Sequence, residues 1–193
     1  TPLATKYLLN FINSECIFDD TVLKIYFELC LIRNKISLIT SQLERIADSH
    51  GLFLHDVMLP ICIDEYKEAI SLLALKHINA TSNKDKIEGA HLLYILFRLG
   101  LQKTTHINEI EALFMDKKLK EIRSWVIEIY PYCEYNTEQD VDQIIKICLS
   151  NINEKDPNLS NKSILSYLRF IYSCRIDLSH RKDEILKYLF YKP

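Results

Sequence analysis

The sequence predicts an all-α fold of stacked antiparallel helical hairpins, with about ten to eleven helices and no sheet. An apolar-periodic helix pair recurs four times, at residues 21–48, 89–117, 120–151 and 162–192. Only three Gly and five Pro are present, which is few for a sheet protein that needs tight turns. No segment alternates apolar and polar residues between hairpin turn dipeptides, so we expect no strands.

The predicted helices follow one another along the chain with short polar breaks between them. Gly51 closes the third helix as a C-cap glycine, and Pro60 suits the first turn of the fourth. The fifth helix stops at Gly100, and Thr137 with Asp140 forms a variant of the capping box at the start of the eighth. The helices span residues 3–13, 21–34, 37–49, 61–79, 86–99, 106–115, 117–129, 137–151, 163–174 and 180–191, and a short apolar piece lies at 52–59.

Length and composition favour one folded domain over residues 1–193. The chain has 193 residues, of which 48% are hydrophobic and 26% charged, close to the globular average. Residues 153–161 include Pro157 and are the best candidate for a flexible link. No window is apolar enough to span a membrane, and the N-terminus lacks the basic region of a signal peptide. We expect the chain to be a fragment of a longer protein.

The recurring helix pair resembles the loosely periodic α-solenoids, among which HEAT repeats and heptatricopeptide arrays are the nearest in style. The matching apolar positions are Leu23, Tyr26, Leu29, Leu43 and Ile46; Leu92, Ile95, Leu99, Ile107 and Ile110; Ile122, Val126, Ile129, Val141, Ile144 and Cys148; and Ile164, Leu168, Ile171, Ile185 and Leu189. The resemblance implies an α-solenoid or irregular helical bundle that binds a protein, or RNA in the heptatricopeptide case. The repeat lengths are unequal, which departs from a strict repeat family.

A second resemblance lies in the predicted helix at residues 37–49. Its spaced apolar residues, with a small residue before an aspartate, resemble a BH3 helix that docks into a Bcl-2-type groove; they are Ile39, Leu43, Ile46, Ala47 and Asp48. The alternative is an ordinary helix whose apolar face packs into the core. A Bcl-2-like viral apoptosis modulator is therefore one alternative function, although no Asn-Trp-Gly-Arg stretch accompanies the pattern.

The sequence contains no motif that indicates catalysis or a cofactor. The six histidines are scattered, and no Cys-x-x-Cys or His-x-x-x-His pair signals a metal site. The three glycines are isolated, so there is no phosphate-binding loop, and no nucleophile elbow is present. We therefore expect no enzyme activity, no metal, no cofactor and no small-molecule substrate.

Cysteine usage and codon bias bear on where the protein works and where it comes from. The six cysteines are spread singly and most lie within apolar helical faces, which indicates buried free thiols in a reducing intracellular compartment, the cytoplasm or nucleus. Isoleucine far outnumbers valine and alanine, and lysine, asparagine and tyrosine are frequent. These residues have A/T-rich codons, so the bias indicates an A/T-rich genome.

Surface charge and loop aromatics supply the candidate partner-binding residues. Residues 134–156 carry six acidic and two basic side chains, whereas residues 160–193 carry seven basic and three acidic ones. Such a charge step orients a partner and speeds encounter. The candidates are Tyr130, Tyr132 and Tyr135 around Pro131, and Arg169, Arg175, Arg181 and Lys182 in the last helix pair. The leading hypothesis is a non-catalytic scaffold that binds another protein, and the alternative is an RNA-binding helical repeat.

Overall fold

The computed structural model describes residues 20–49, 61–102, 110, 119–152 and 155–189. Within these ranges the chain is all-α, with eight α-helices and no β-strand. The helices are α1 (Asp20–Ile32), α2 (Ile36–Ser49), α3 (Ile61–Ile78), α4 (Asn83–Arg98), α5 (Lys120–Ile129), α6 (Glu138–Leu149), α7 (Pro157–Ser173) and α8 (Lys182–Leu189), with 3-10 turns at Tyr130–Tyr132 and Ser179–Arg181.

Some of the predicted features lie outside the described residues. These are the helix at 3–13, the short apolar piece at 52–59, all of the helix at 106–115 except Ile110, and the capping roles of Gly51 and Pro60. The chain divides into two compact units, unit 1 (Thr1–Lys103) and unit 2 (Thr104–Pro193). The single domain over residues 1–193 stays a prediction.

The four described helices of unit 1 contact one another in a closed ring. Helix α1 packs on α2 and α3, and α4 packs on α2 and α3. The ring surrounds aliphatic and aromatic side chains that are at most 2% exposed: Leu23, Phe27, Ile36, Ile39, Leu43, Ile46, Ile63, Ile70, Leu92 and Ile95. Burial of these side chains is the main favourable term in holding the four helices together. The solenoid arrangement stays a prediction.

Helices α1 and α4 end in the same hydrogen-bonded motif. After α4, the Leu101 N–H donates to the Leu96 carbonyl at 2.9 Å, and Gly100 has a φ of +67°. After α1, the Lys35 N–H donates to the Cys30 carbonyl at 2.9 Å, and Asn34 has a φ of +50°. Both are Schellman motifs, which need a residue in the left-handed region; Gly and Asn are the two that adopt it most readily.

Helices α3 and α4 approach each other at Gly89. A Cβ atom at this position would lie 2.7 Å from the Ile78 backbone nitrogen and 2.9 Å from the Ala74 carbonyl oxygen, both in α3. These separations are shorter than van der Waals contact, so only glycine permits them. Gly89 therefore sets how close the end of α3 comes to the start of α4.

In unit 2 the central element is α7, which packs on α5, α6, α8 and the turn Tyr130–Tyr132. Residues 157–161, which we predicted to belong to a flexible link, instead form the first turn of α7. Asp156 caps this turn by accepting the Asn158 N–H at 2.9 Å, and Pro157 occupies the first helical position. Proline fits that position because the missing N–H would have no intrahelical partner.

The start of α6 matches the sequence prediction closely. The Thr137 hydroxyl accepts the Asp140 N–H at 3.1 Å, and the Asp140 carboxylate accepts the Thr137 N–H at 3.0 Å. This closed capping box confirms the role predicted for both residues. None of the helices in the described ranges combines the length and apolar character needed to cross a membrane.

Candidate functional site

Helix α7 has a buried face and an exposed apolar face. Its buried face is formed by Leu159, Ser160, Ser163, Ser166, Tyr167 and Phe170. On the outer side, Leu165 is 49% exposed and Tyr172 is 76% exposed. Seven residues separate them, which is about two helical turns, so both lie on one face. We call the surface formed by Leu165 and Tyr172 the outer face of α7.

A buried carboxylate lies beside this face and joins α7 to α5. The Glu128 side chain is 8% exposed, and its two oxygens lie 2.6 Å from Lys162 Nζ and 3.4 Å from Arg169 Nη1. Lys162 also places its ammonium 3.5 Å from the centroid of the Trp125 ring. The Glu128–Lys162–Arg169 ion triad therefore fixes the position of both basic side chains along α7.

Two of the three candidate tyrosines contribute to the fold of unit 2. Tyr130 is 2% exposed and belongs to the core, whereas Tyr132 is half-buried. The Tyr135 hydroxyl accepts the Arg175 N–H at 2.7 Å and donates to the Ser173 carbonyl at 3.3 Å. Its ring packs edge-on against Phe170, and burial raises the pKa of the Tyr135 hydroxyl. Tyr135 thus ties the loop before α6 to the end of α7.

The four candidate basic residues occupy different environments. Arg169 belongs to the Glu128 triad, and Arg181 forms ion pairs with Asp142 of α6 and Glu184 of α8. The Arg175 side chain and Lys182 are exposed. Contacts within unit 2 therefore neutralise part of the charge difference that the sequence indicates between residues 134–156 and 160–193.

The BH3-like pattern lies on α2. Its four apolar residues, Ile39, Leu43, Ile46 and Ala47, are each 0% exposed and face the core of unit 1. Asp48 is exposed and pairs with Arg98 of α4 at 3.0 Å. In this conformation the apolar face of α2 is occupied by its own unit, as expected for an ordinary core-facing helix.

A group of potential metal ligands, which the sequence did not suggest, lies where α3 meets α4. His77, Asp85 and Glu88 each offer one ligand atom, and these three atoms lie within 4.8 Å of one another. All three residues are half-buried, and His77 Nδ1 is buried without a hydrogen-bond partner in the described part of the chain. The Asp85 and Glu88 spacing of three residues on one helix face was the signal available in the sequence.

The described cysteines are free thiols, three of them buried: Cys30, Cys133 and Cys148. Burial raises the pKa of the Cys30 thiol to about 11 and that of the Cys133 and Cys148 thiols to about 12. Thiols with such pKa values stay protonated at neutral pH and are poor nucleophiles. Cys174 is half-buried, and the side chains of Cys16 and Cys62 lie outside the described residues.

The chain was compared with protein-family models, with curated proteins and with solved structures, and none of them matches it.

Proposed function

We propose that this chain is a non-catalytic helical adaptor that binds another protein through the outer face of α7. The observation that carries the proposal is the exposure of Leu165 and Tyr172 together on one face. Single exposed apolar side chains are common on protein surfaces, but apolar side chains grouped on one face favour an interaction site. Tyrosine is also among the residues that contribute most to binding energy at interfaces.

The ion triad beside the face supports the same proposal. Arg169 lies four residues after Leu165 and three before Tyr172, so its guanidinium belongs to the same region of the helix surface. Because Glu128 already orders the Arg169 side chain, this side chain loses little further conformational entropy when a partner contacts it. The expected partner presents an apolar surface for Leu165 and Tyr172 and a hydrogen-bond acceptor near Arg169.

The contacts of the basic side chains favour a protein partner over RNA. An RNA-binding repeat needs cations that are available to phosphates, and binding then weakens steeply with salt. In unit 2, Lys162, Arg169 and Arg181 already pair with carboxylates. We further propose a reducing intracellular compartment, because the described thiols are free and three of them are buried.

Site-specific photo-crosslinking in cells that express the chain tests this proposal. A photoreactive amino acid is placed at position 165 or 172, and a third variant carries it at Lys146, an exposed residue of α6 in the same unit. We expect a defined protein adduct from the first two positions and none from the Lys146 control. The adduct from position 165 should disappear when Tyr172 is replaced by Asp, and the adduct from position 172 when Leu165 is replaced by Asp. A carboxylate on the outer face disrupts an apolar contact.

Two outcomes would contradict the proposal. Equal adducts from all three positions would indicate unspecific encounters rather than a binding face. Adducts that nuclease treatment removes would instead support the RNA alternative, which a filter-binding series at two salt concentrations would then verify.

A further inference from the structure

We propose that His77, Asp85 and Glu88 form a binding site for a divalent transition-metal ion of the zinc class, which joins the end of α3 to the start of α4. The ligand atoms lie within 4.8 Å of one another. Zinc binds imidazole nitrogen and carboxylate oxygen at about 2.0–2.2 Å, so ligands around one ion lie roughly 3–3.5 Å apart. Small side-chain rotations therefore suffice to bring the three atoms onto a common ion.

A buried ring nitrogen of His77 also favours a bound ion. His77 Nδ1 is buried and has no hydrogen-bond partner among the described residues. A buried polar atom without a partner destabilises the fold, and structures usually satisfy such atoms. A metal ion bound to this nitrogen would satisfy it.

The two carboxylates are available to an ion. Asp85 occupies the third position of α4, where Asp140 of α6 closes a capping box, but the Asp85 carboxylate makes no such bond in the described residues. Among the described residues Glu88 has one weak ion pair, at 3.9 Å from Lys84 Nζ, and the Lys84 side chain is 82% exposed. An exposed pair of this kind contributes little, so Lys84 can move away when an ion binds.

The helix geometry also allows a cation here. The N-terminus of α4 disfavours a cation, whereas the C-terminus of α3 favours one. The effects of the two helix dipoles on a bound cation therefore largely cancel at this point. Gly89 lets α3 and α4 approach closely next to the three ligands, since any Cβ there would meet the α3 backbone. One imidazole with two carboxylates favours zinc and its neighbours over Mg²⁺ or Ca²⁺, which prefer oxygen ligands alone. Water would complete the coordination of the ion.

Calorimetric titration of the untagged, chelator-treated full chain with ZnCl₂ tests the site. We expect the wild-type chain to bind zinc, and His77→Gln, Asp85→Asn and Glu88→Gln each to weaken binding at least about tenfold. The matched control is His180→Gln, an exposed histidine in unit 2, which should leave the affinity unchanged. The thermal unfolding midpoint of the wild-type chain should rise with zinc concentration, because the ion binds the folded state.

Cysteine thiolates are the main competing ligands for zinc, and Co²⁺ used in place of zinc distinguishes a thiolate site from the proposed site. Cobalt bound through His77 and the carboxylates gives no thiolate-to-metal charge-transfer band, whereas cobalt bound to cysteine does. Helicity measured by circular dichroism verifies that each variant is folded, and the near-isosteric Glu88→Gln and Asp85→Asn changes keep the test decisive if His77→Gln unfolds the chain. Absence of binding, wild-type affinity in all three ligand variants, or a thiolate band that these variants leave intact would overturn the proposal.

Discussion

The α3–α4 contact of unit 1 is formed by backbone atoms at Gly89, whereas the α5–α7 contact of unit 2 surrounds the Glu128 carboxylate. At the first contact an added methyl group would meet the α3 backbone at 2.7 Å. At the second, the carboxylate is buried between the Lys162 and Arg169 side chains, which are 26% and 28% exposed. The first contact is therefore sensitive to added volume and the second to lost charge.

Replacement of Glu128 by Ala should have the largest effect on stability. We expect the free energy of unfolding to fall by about 3 kcal/mol, because two cations lose their buried partner. Partial exposure of Lys162 and Arg169 keeps the loss at the lower end of the range for buried ion pairs. Urea denaturation followed by Trp125 fluorescence measures it. Glu121→Ala, an exposed residue of the same helix, should change the free energy by no more than about 0.5 kcal/mol. Similar values for both variants would contradict the importance of the triad.

The two described glycines of unit 1 should respond to alanine for different reasons. Gly89→Ala should lower the free energy of unfolding by about 2 kcal/mol through the clash with α3, although alanine alone would favour a helix by up to about 1 kcal/mol. Gly100→Ala should cost about 1 kcal/mol, because there is space for the methyl group but the φ of +67° is unfavourable.

Chemical denaturation and amide exchange of the α3 and α4 peptides provide the measurements for both glycine variants. Gly100→Asn should recover part of the loss, since Asn tolerates a positive φ, whereas Gly89→Asn should not. A stabilising effect of Gly89→Ala would show that α3 and α4 separate easily and that the close approach is unimportant.

Stability should decrease at alkaline pH through the buried thiols of unit 2. Burial raises the pKa of the Cys148 thiol from 9.0 to about 12, so the folded state holds its proton where the unfolded chain releases it. This contribution is complete below pH 9 and is lost as the pH rises toward 12. By pH 10 about 1.4 kcal/mol of it per thiol has been lost.

Denaturation of the wild-type chain and of Cys148→Ala at pH 8 and pH 10 tests this contribution. The variant should lose about 1.4 kcal/mol less between the two pH values, because it lacks the thiol that ionises in the unfolded chain. Cys30→Ala in unit 1 should reduce the loss of stability between the two pH values to a similar extent, because burial raises the pKa of that thiol to about 11, also above pH 10. Identical pH dependence in the wild-type chain and Cys148→Ala would contradict the burial of this thiol.

The helix caps of the two units should show the smallest difference. Thr137→Ala should cost about 1 kcal/mol, because its hydroxyl accepts the Asp140 N–H at 3.1 Å within a closed capping box. Ser82→Ala should cost only a few tenths of a kcal/mol, because its bond to the Asp85 N–H is 3.5 Å long. Thermal unfolding of both variants measures the difference. Equal losses would show that the length of the cap bond does not decide its contribution.

Local features of the sequence were largely sufficient to place the helices and most of their buried faces. The predicted apolar positions of α4 and α5 are at most 3% exposed, and so are those of α6. The capping box at Thr137 and the end of α4 before Gly100 were also predictable. These features depend on residues within one or two helical turns, so the chain carries them without reference to distant segments.

The orientation of α7 could not be predicted in the same way. Apolar spacing assigned Ile164, Leu168 and Ile171 to its core face, but these residues are only half-buried. The buried face is offset by one residue and includes Ser163, which is 0% exposed and donates its hydroxyl hydrogen to the Leu159 carbonyl at 2.9 Å. A serine whose hydroxyl bonds to its own helix can pack inside, and its small size allows close contact.

Hydrophobic period and cap chemistry act within a few residues, so an all-α chain, the bounds of most described helices and their caps follow from the local sequence. Helix packing, in contrast, sets which face of α7 is exposed and how closely α3 approaches α4 at Gly89. It also brings Glu128 to two cations and His77 to Asp85 and Glu88. These features join residues from different helices, and their positions depend on how the helices pack.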